Sequence, residues 1–207
     1  MTTVSEIADE ILALRRPHPV RVGIDGFCAA GKTTLGDALG SELLARGRSV
    51  IRACGDDFQN PPGVRYQLGN RSPEGFFRHA MAFGALRAEL LDPLGPGGTL
   101  VYRTTIYDVF ASQVNLSPQL RADPLQILVL DGLFLHVPEL AGGFDLTIFV
   151  DADFETCIAR ARARRQERYR DADAIEALYR ERYVPGFRLY VNEVRPQTCA
   201  SICITTS

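Results

Sequence analysis

Val20-Arg21-Val22-Gly23-Ile24-Asp25, followed by Gly26-Phe27-Cys28-Ala29-Ala30-Gly31-Lys32-Thr33-Thr34, is the stretch that decides the fold. Residues 20–25 read as a buried strand. Residues 26–33 satisfy G-x-x-x-x-G-K-[ST] at every fixed position. Leu35, Leu39 and Leu43 then recur on one side of a helix, and Gly47 supplies its stop. Small side chains in the turn let backbone N–H groups point inward around phosphate oxygens, and the helix N-terminus adds partial positive charge. The spacing predicts that Gly26, Ala29, Ala30, Gly31, Lys32, Thr33 and Thr34 hold the phosphates of a nucleoside triphosphate. Lys32 is expected to reach the β- and γ-phosphates, and the Thr33 hydroxyl to ligate Mg²⁺.

Upstream, Thr3-Val4-Ser5-Glu6 has capping-box form, and Ile7, Ile11 and Leu14 follow at helical spacing. A short helix is expected there, ending near Arg16, before Pro17 and Pro19. Downstream, residues 49–54 read as a second strand. Residues 55–71 are rich in Gly, Pro, Asn and Asp and read as a long loop, of a length that often carries function. Ser72-Pro73-Glu74 looks like an N-cap with proline at N1, opening a helix expected to run to about Leu91. Residues 92–98 form a turn cluster, and 101–106 read as extended. Residues 126–130 and 146–150 are apolar runs of the kind found in central parallel strands. Residues 153–183 read as helical and arginine-rich, and 201–205 as a last strand. The alternation predicts an α/β three-layer sandwich, with a mainly parallel sheet covered by helices on both faces, in a single domain over residues 1–207.

Composition narrows the function classes. The chain has 207 residues and a net charge of -2, so it lacks the basic footprint of a nucleic-acid binder. No apolar run approaches the ~20 residues needed to span a bilayer, and no membrane partner is expected. Glu6, Asp9 and Glu10 within the first 16 residues are unlike a secretory signal, so a cytoplasmic location is expected. The five cysteines form no C-x-x-C pair and the three histidines have no metal spacing to them, which argues against disulfides or zinc and for reduced, mostly buried thiols.

A phosphate-binding loop does not choose an acceptor. Phosphoryl transfer also needs a carboxylate near the metal and a group that orients or deprotonates the nucleophile. Leu128-Val129-Leu130-Asp131-Gly132 ends an apolar strand on an acid, at the strand end where open α/β sheets bind ligands, so Asp131 is a candidate at Mg²⁺. Gly55-Asp56-Asp57-Phe58 follows the second strand and offers two adjacent acids, of which the pattern does not select one. Arg65 and Tyr66, in the same loop, are acceptor-site candidates.

These residues resemble the uridine kinase-like family of P-loop kinases, whose relatives include phosphoribulokinase and bacterial pantothenate kinase. The likeness runs from about Val20 to Ile204. It rests on Gly26 to Thr34, Asp56-Asp57-Phe58, Ile106-Tyr107-Asp108, Leu130-Asp131-Gly132, and Phe149-Val150-Asp151 with the arginine helix after it. The resemblance implies that Asp56, first of an Asp-x-Phe motif, is the catalytic base. It implies that Tyr107 and Asp108 stand where uridine kinases place an aromatic ring against the base, with Val109 replacing phenylalanine. Asp131 takes a position usually held by glutamate. The family usually carries an aspartate near the start of the helix after the long loop, for ribose hydroxyls. Here residues 76–84 hold no acid, and His79 is a candidate substitute contact, a solvated helix histidine being the alternative.

Arg160, Arg162, Arg164, Arg165, Arg168 and Arg170 fall within eleven residues and cannot share one helix face. The resemblance implies a lid over the nucleotide at about 160–172. Arg164, Arg165 and Arg168 are its first candidates to neutralise the transferring group and exclude water. Residues 182–190 are expected to pack the last helix on the sheet. The expected activity is ATP-dependent, Mg²⁺-assisted transfer of the γ-phosphoryl group to a small-molecule hydroxyl. A uridine- or cytidine-like nucleoside is the first acceptor, and a pantothenate-like, sugar or other alcohol the alternative. A nucleotide-binding regulatory module is the reading from another class, and a homo-oligomer is compatible with the sequence.

Overall fold

A computed structural model of the chain describes residues 2–108, 111, 113–166 and 172–206. Helix α1 (Val4–Ala13) opens on the expected capping box between Thr3 and Glu6. It ends before Arg16, because Leu14 turns extended at ψ 124°. Strand β1 (Val20–Gly26) leads into α2 (Lys32–Ala45), and β2 (Val50–Cys54) follows.

The long loop carries structure of its own: a 3₁₀ turn at Gly55–Phe58 and a short helix, α3 (Pro62–Arg65). The single helix expected from Ser72 to Leu91 is broken. Helix α4 (Pro73–His79) starts on the Ser72 cap, and α5 (Phe83–Leu86) runs on into a π turn at Arg87–Leu91. Between them, residues 80–82 bond to the loop instead of to helix neighbours. Asn60 N donates to Ala80 O at 2.9 Å, Ala82 N to Phe58 O at 2.8 Å, and Asn60 Nδ2 to Met81 O at 2.9 Å. The break therefore ties α4 to the segment that follows β2.

Short strands β3 (Val101–Tyr102), β4 (Tyr107–Asp108), β5 (Gln113–Val114) and β6 (Leu120–Arg121) pair antiparallel as β3–β6 and β4–β5. They are followed by β7 (Ile127–Asp131), β8 (Leu146–Ala152), α6 (Phe154–Gln166), α7 (Ala172–Leu178) and a π turn at Tyr179–Tyr183. Helix α8 (Val184–Val194), α9 (Pro196–Cys199) and β9 (Ile202–Thr206) complete the chain.

Five strands form a parallel sheet in the order β2-β7-β1-β8-β9. Every residue of β1 and β7 is buried, as expected for strands covered on both faces. Alternation along the strands assigns the faces. Arg52 on β2 lies against Gly36 of α2, whereas Asp25 on β1 meets Tyr190 of α8 on the other side. Aromatic rings cluster beneath α8, where Phe134 meets Tyr190 at 5.1 Å, Phe76 at 5.2 Å, Phe77 at 5.3 Å and Phe187 at 6.0 Å. The cysteines are free, but only Cys157 is fully buried. Cys199 and Cys203 are exposed at the last helix and the edge strand, so mostly buried thiols are not what the fold provides.

The register sets the site. Asp131 pairs with Cys54 on one side and Ile24 on the other, so β2 and β7 end level and β1 runs two residues further, to Gly26. The segments leaving them, 55–58, 132–135 and 26–31, emerge along one edge.

Candidate active site

The turn between β1 and α2 has the backbone that its small residues permit. Gly26, Ala29 and Gly31 have φ of 149°, 62° and 103°. A Cβ on Gly26 would stand 2.5 Å from Val150 O, so glycine is required where the loop crosses β8. Lys32 Nζ donates to Phe27 O at 2.8 Å, folded over the loop that it serves. Thr33 and Thr34 are exposed at the helix start. Ala30 O receives Arg160 Nη1 at 3.5 Å and Thr206 Oγ1 at 3.4 Å.

Asp25 sits fully buried beneath this loop and was not singled out from the sequence. Its carboxylate accepts from the N–H groups of Gly26 (2.7 Å), Phe134 (3.1 Å) and Leu135 (3.0 Å), and from Tyr190 Oη. His136 Nδ1 lies 2.8 Å from it. Burial and the Asp25 charge push the Tyr190 phenol far above its ordinary range. The group ties the loop's first residue to the segment after β7 and to α8. Its one visible signal in the sequence is an acid as the last strand residue before Gly26.

The carboxylates converge because two glycines touch. A Cβ on Gly55 would lie 2.9 Å from Gly132 Cα, so the segments after β2 and β7 pass at backbone contact. Asp131, 2% exposed, accepts a hydrogen bond from Thr33 Oγ1 at 2.7 Å and an ion pair from Arg52 Nη2 at 2.9 Å. Arg52 also bonds Val129 O at 2.7 Å and Asp37 at 2.9 Å. Burial works against its charge, but Asp131 and Asp37 hold its pKa above the ordinary arginine value.

Asp56 is exposed, with Gln59 Nε2 donating to its Oδ1 at 3.3 Å. Asp57 is half-buried, and its pKa is raised to about 6, by burial first and then by the charges of Asp56, Asp108 and Asp131. Four acids thus share one small region. No group of three His, Cys, Asp or Glu ligands is arranged to hold a metal among the described residues. What is present is oxygen-only: the Thr33 hydroxyl beside the Asp131 carboxylate.

The acceptor-side candidates divide. Two guanidiniums lie against the Tyr66 ring, Arg65 at 4.9 Å and Arg182 at 4.8 Å from its centroid. Tyr107 is only 2% exposed, so its ring is packed into the protein and presents no open face. Asp108 accepts from Ala111 N at 2.9 Å and adds to the charge at Asp57. His79 is half-buried, and Asn60 Nδ2 binds its carbonyl at 3.2 Å, so the structure records its backbone in use. Glu74, in the first turn of α4, is exposed and paired with Arg78 at 3.2 Å.

Of the lid arginines, Arg164 is exposed on α6, while the Arg165 side chain and Arg168 lie outside the described residues. Arg162 is committed to Glu176 at 2.7 Å. Among the described residues, Arg160, not singled out as a nucleotide contact, is an arginine whose side chain meets the phosphate loop.

Comparison with known proteins agrees with this arrangement. A model described as "Phosphoribulokinase / Uridine kinase family" matches residues 22–204. A uridine kinase from Mycoplasma genitalium is 26% identical over 183 residues, covering 85% of this chain and 81% of the relative. Two solved structures share the fold. One is described as a possible uridine kinase from Bacillus stearothermophilus, with TM-score 0.75, 19% identity, and coverage of 97% of this chain and 96% of its own. The other is described as a "putative fructose transport system kinase" from Silicibacter sp. TM1040, with TM-score 0.77, 18% identity, and coverage of 98% and 99%.

Proposed function

The chain belongs to the phosphoribulokinase/uridine kinase family, and from that premise we propose that it transfers the γ-phosphoryl group of ATP to a hydroxyl of a small molecule, with Asp56 as general base. The observation that carries this reading is the meeting, at one sheet edge, of Lys32 and Thr33 on the phosphate loop, Asp131, and the Asp56 segment held against it by Gly55 and Gly132.

In this mechanism the backbone amides of 26–33 bind the phosphates. Lys32 exchanges the Phe27 carbonyl for the β- and γ-oxygens. Asp56 takes the proton of the acceptor hydroxyl. The bond from that oxygen to the γ-phosphorus forms as the bond to the β-bridging oxygen breaks, and ADP leaves. The oxygen donors Thr33 and Asp131 fit Mg²⁺, which keeps several waters and needs few protein ligands. When bound, the ion supplies charge neutralisation at the phosphates. Because Arg52 already answers Asp131, that carboxylate suits an outer-sphere role through water. Arg160, Arg164, Arg165 and Arg168 stand for the lid. The same proposal treats residues 1–207 as one domain acting on a small molecule in the cytoplasm. No helix among the described residues is long and apolar enough to cross a membrane.

The curated relative is a uridine kinase, which makes uridine or cytidine the first acceptor to test. A second reading, a non-nucleoside alcohol, is favoured by the buried Tyr107 ring and by Glu74 being taken up by Arg78. Coupled ADP release from MgATP, with and without a panel of alcohols, tests the proposal. Release that depends on an alcohol supports a kinase. ADP release that no alcohol accelerates points instead to a regulatory module that hydrolyses ATP.

A further inference from the structure

Two buried arginines stand at the acceptor side with no acid paired to them among the described residues. Arg65, at the end of α3, is 8% exposed, and Arg182, in the turn before α8, is 3% exposed. Both lie against Tyr66, which is itself exposed at the surface of the loop. Arg65 Nη1 donates to Gln59 Oε1, and Arg182 Nη1 to Asn70 O at 3.0 Å. The Nε–H of each is buried with no hydrogen-bond partner, and so is the Tyr107 hydroxyl, whose ring Arg65 overhangs at 5.8 Å. Neither arginine forms an ion pair among the described residues, whereas Arg21, Arg52 and Arg180 all do. A buried guanidinium without a counter-charge is costly, and an unpaired N–H adds to that cost. Here the cost falls twice on one ring.

The position ties the pair to the chemistry. Gln59 links Arg65 to Asp56, accepting from the arginine with Oε1 and donating to Asp56 Oδ1 through Nε2 at 3.3 Å. One glutamine side chain therefore separates a buried cation from the proposed base. The acids that could instead have bound sugar hydroxyls are elsewhere: Glu74 is paired with Arg78, and Glu181 with Arg71.

We propose that Arg65 and Arg182 bind an anionic oxygen group of the acceptor, so that the substrate is an alcohol bearing a carboxylate or a phosphate. The inference rests on the kinase reading and names its acceptor class. A guanidinium fork matches either anion with paired, charge-assisted hydrogen bonds. A neutral nucleoside would leave both charges buried and unanswered.

The test uses matched alcohols that differ in one charged group. With the phosphate loop saturated by a non-hydrolysable ATP analogue, D-glycerate is compared with glycerol, and ribose 5-phosphate with ribose, by thermal shift and by calorimetry. The anionic member of at least one pair should bind at least 10-fold more tightly than its neutral partner, and the pair that responds distinguishes carboxylate from phosphate. Arg65→Met and Arg182→Met should each weaken that binding about 10- to 100-fold, with Arg65→Lys intermediate. The affinity for the ATP analogue, read in the same samples, controls for folding. Equal binding of charged and neutral partners overturns the inference, as does anion binding that both methionine variants retain. Wild-type ADP release with uridine or another neutral alcohol, unchanged in the two variants, overturns the inference and leaves the kinase reading intact. No ADP release with any alcohol removes both.

Discussion

At Asp57, burial and three like charges act in the same direction. Its carboxyl, with an ordinary value of 3.8, titrates at about 6 in the folded protein. The folded state therefore holds this proton over a pH range in which the unfolded chain has released it. Stability from this group falls as pH rises from about 4 to 6 and is flat above. Asp57→Asn should stabilise the protein by about 1 kcal/mol at pH 7.5, the shift being discounted for partial exposure, which corresponds to a Tm gain of about 2–4 °C. The gain should vanish at pH 3.5. Melting curves at the two pH values check this, and an equal effect at both would mean that Asp57 is not the strained acid. At the residue scale, the phosphate loop was legible because its chemistry is written in eight consecutive positions. Asp25, Arg52 and Arg182 were not, because their partners lie far along the chain: Tyr190 is 165 residues from Asp25, Asp131 is 79 from Arg52, and Asn70 is 112 from Arg182.

The elements are held in register by backbone contact rather than by side chains. Gly55 and Gly132 let the ends of β2 and β7 approach so closely that a methyl group on Gly55 would meet Gly132 Cα at 2.9 Å. Gly55→Ala should cost about 1–3 kcal/mol of stability. It should also lower kcat by about 10- to 100-fold, because displaced reacting groups lose alignment. Affinity for an ATP analogue should change little, since residues 26–33 are untouched. Steady-state kinetics beside analogue binding read this out, and unchanged kcat in a folded variant would show that the glycine contact does not position Asp56. The apolar runs made the central strands legible, and the capping patterns placed the starts of α1 and α4. The break at residues 80–82 was not legible, since it depends on Asn60 and Phe58 offering hydrogen bonds that a continued helix would not use. The β3–β6 and β4–β5 pairs were equally hidden, each being only two residues per strand.

Over the whole molecule, a parallel sheet with β1 at its centre gathers three strand ends on one edge, and the chemistry follows from what each strand carries there. Alternating strands and helices made the layer architecture legible, the strand-end position suggested Asp131 for Mg²⁺, and the likeness to uridine kinases suggested Asp56 as the base. The order β2-β7-β1-β8-β9 and the acceptor-side arginines came only from the assembled fold. In the proposed mechanism residues 26–33 bind the nucleotide and Asp56 carries the transfer, so the two are separable. The direct measurement follows the γ-phosphoryl group of ATP by ³¹P NMR in the wild type and in Asp56→Asn, with ATP-analogue affinity measured in parallel. The account predicts an alcohol phosphate ester in the wild type. In the variant it predicts a transfer rate about 10²- to 10⁴-fold lower, with analogue affinity nearly unchanged. Near-normal transfer by Asp56→Asn, or inorganic phosphate as the sole product of the wild type, would contradict it.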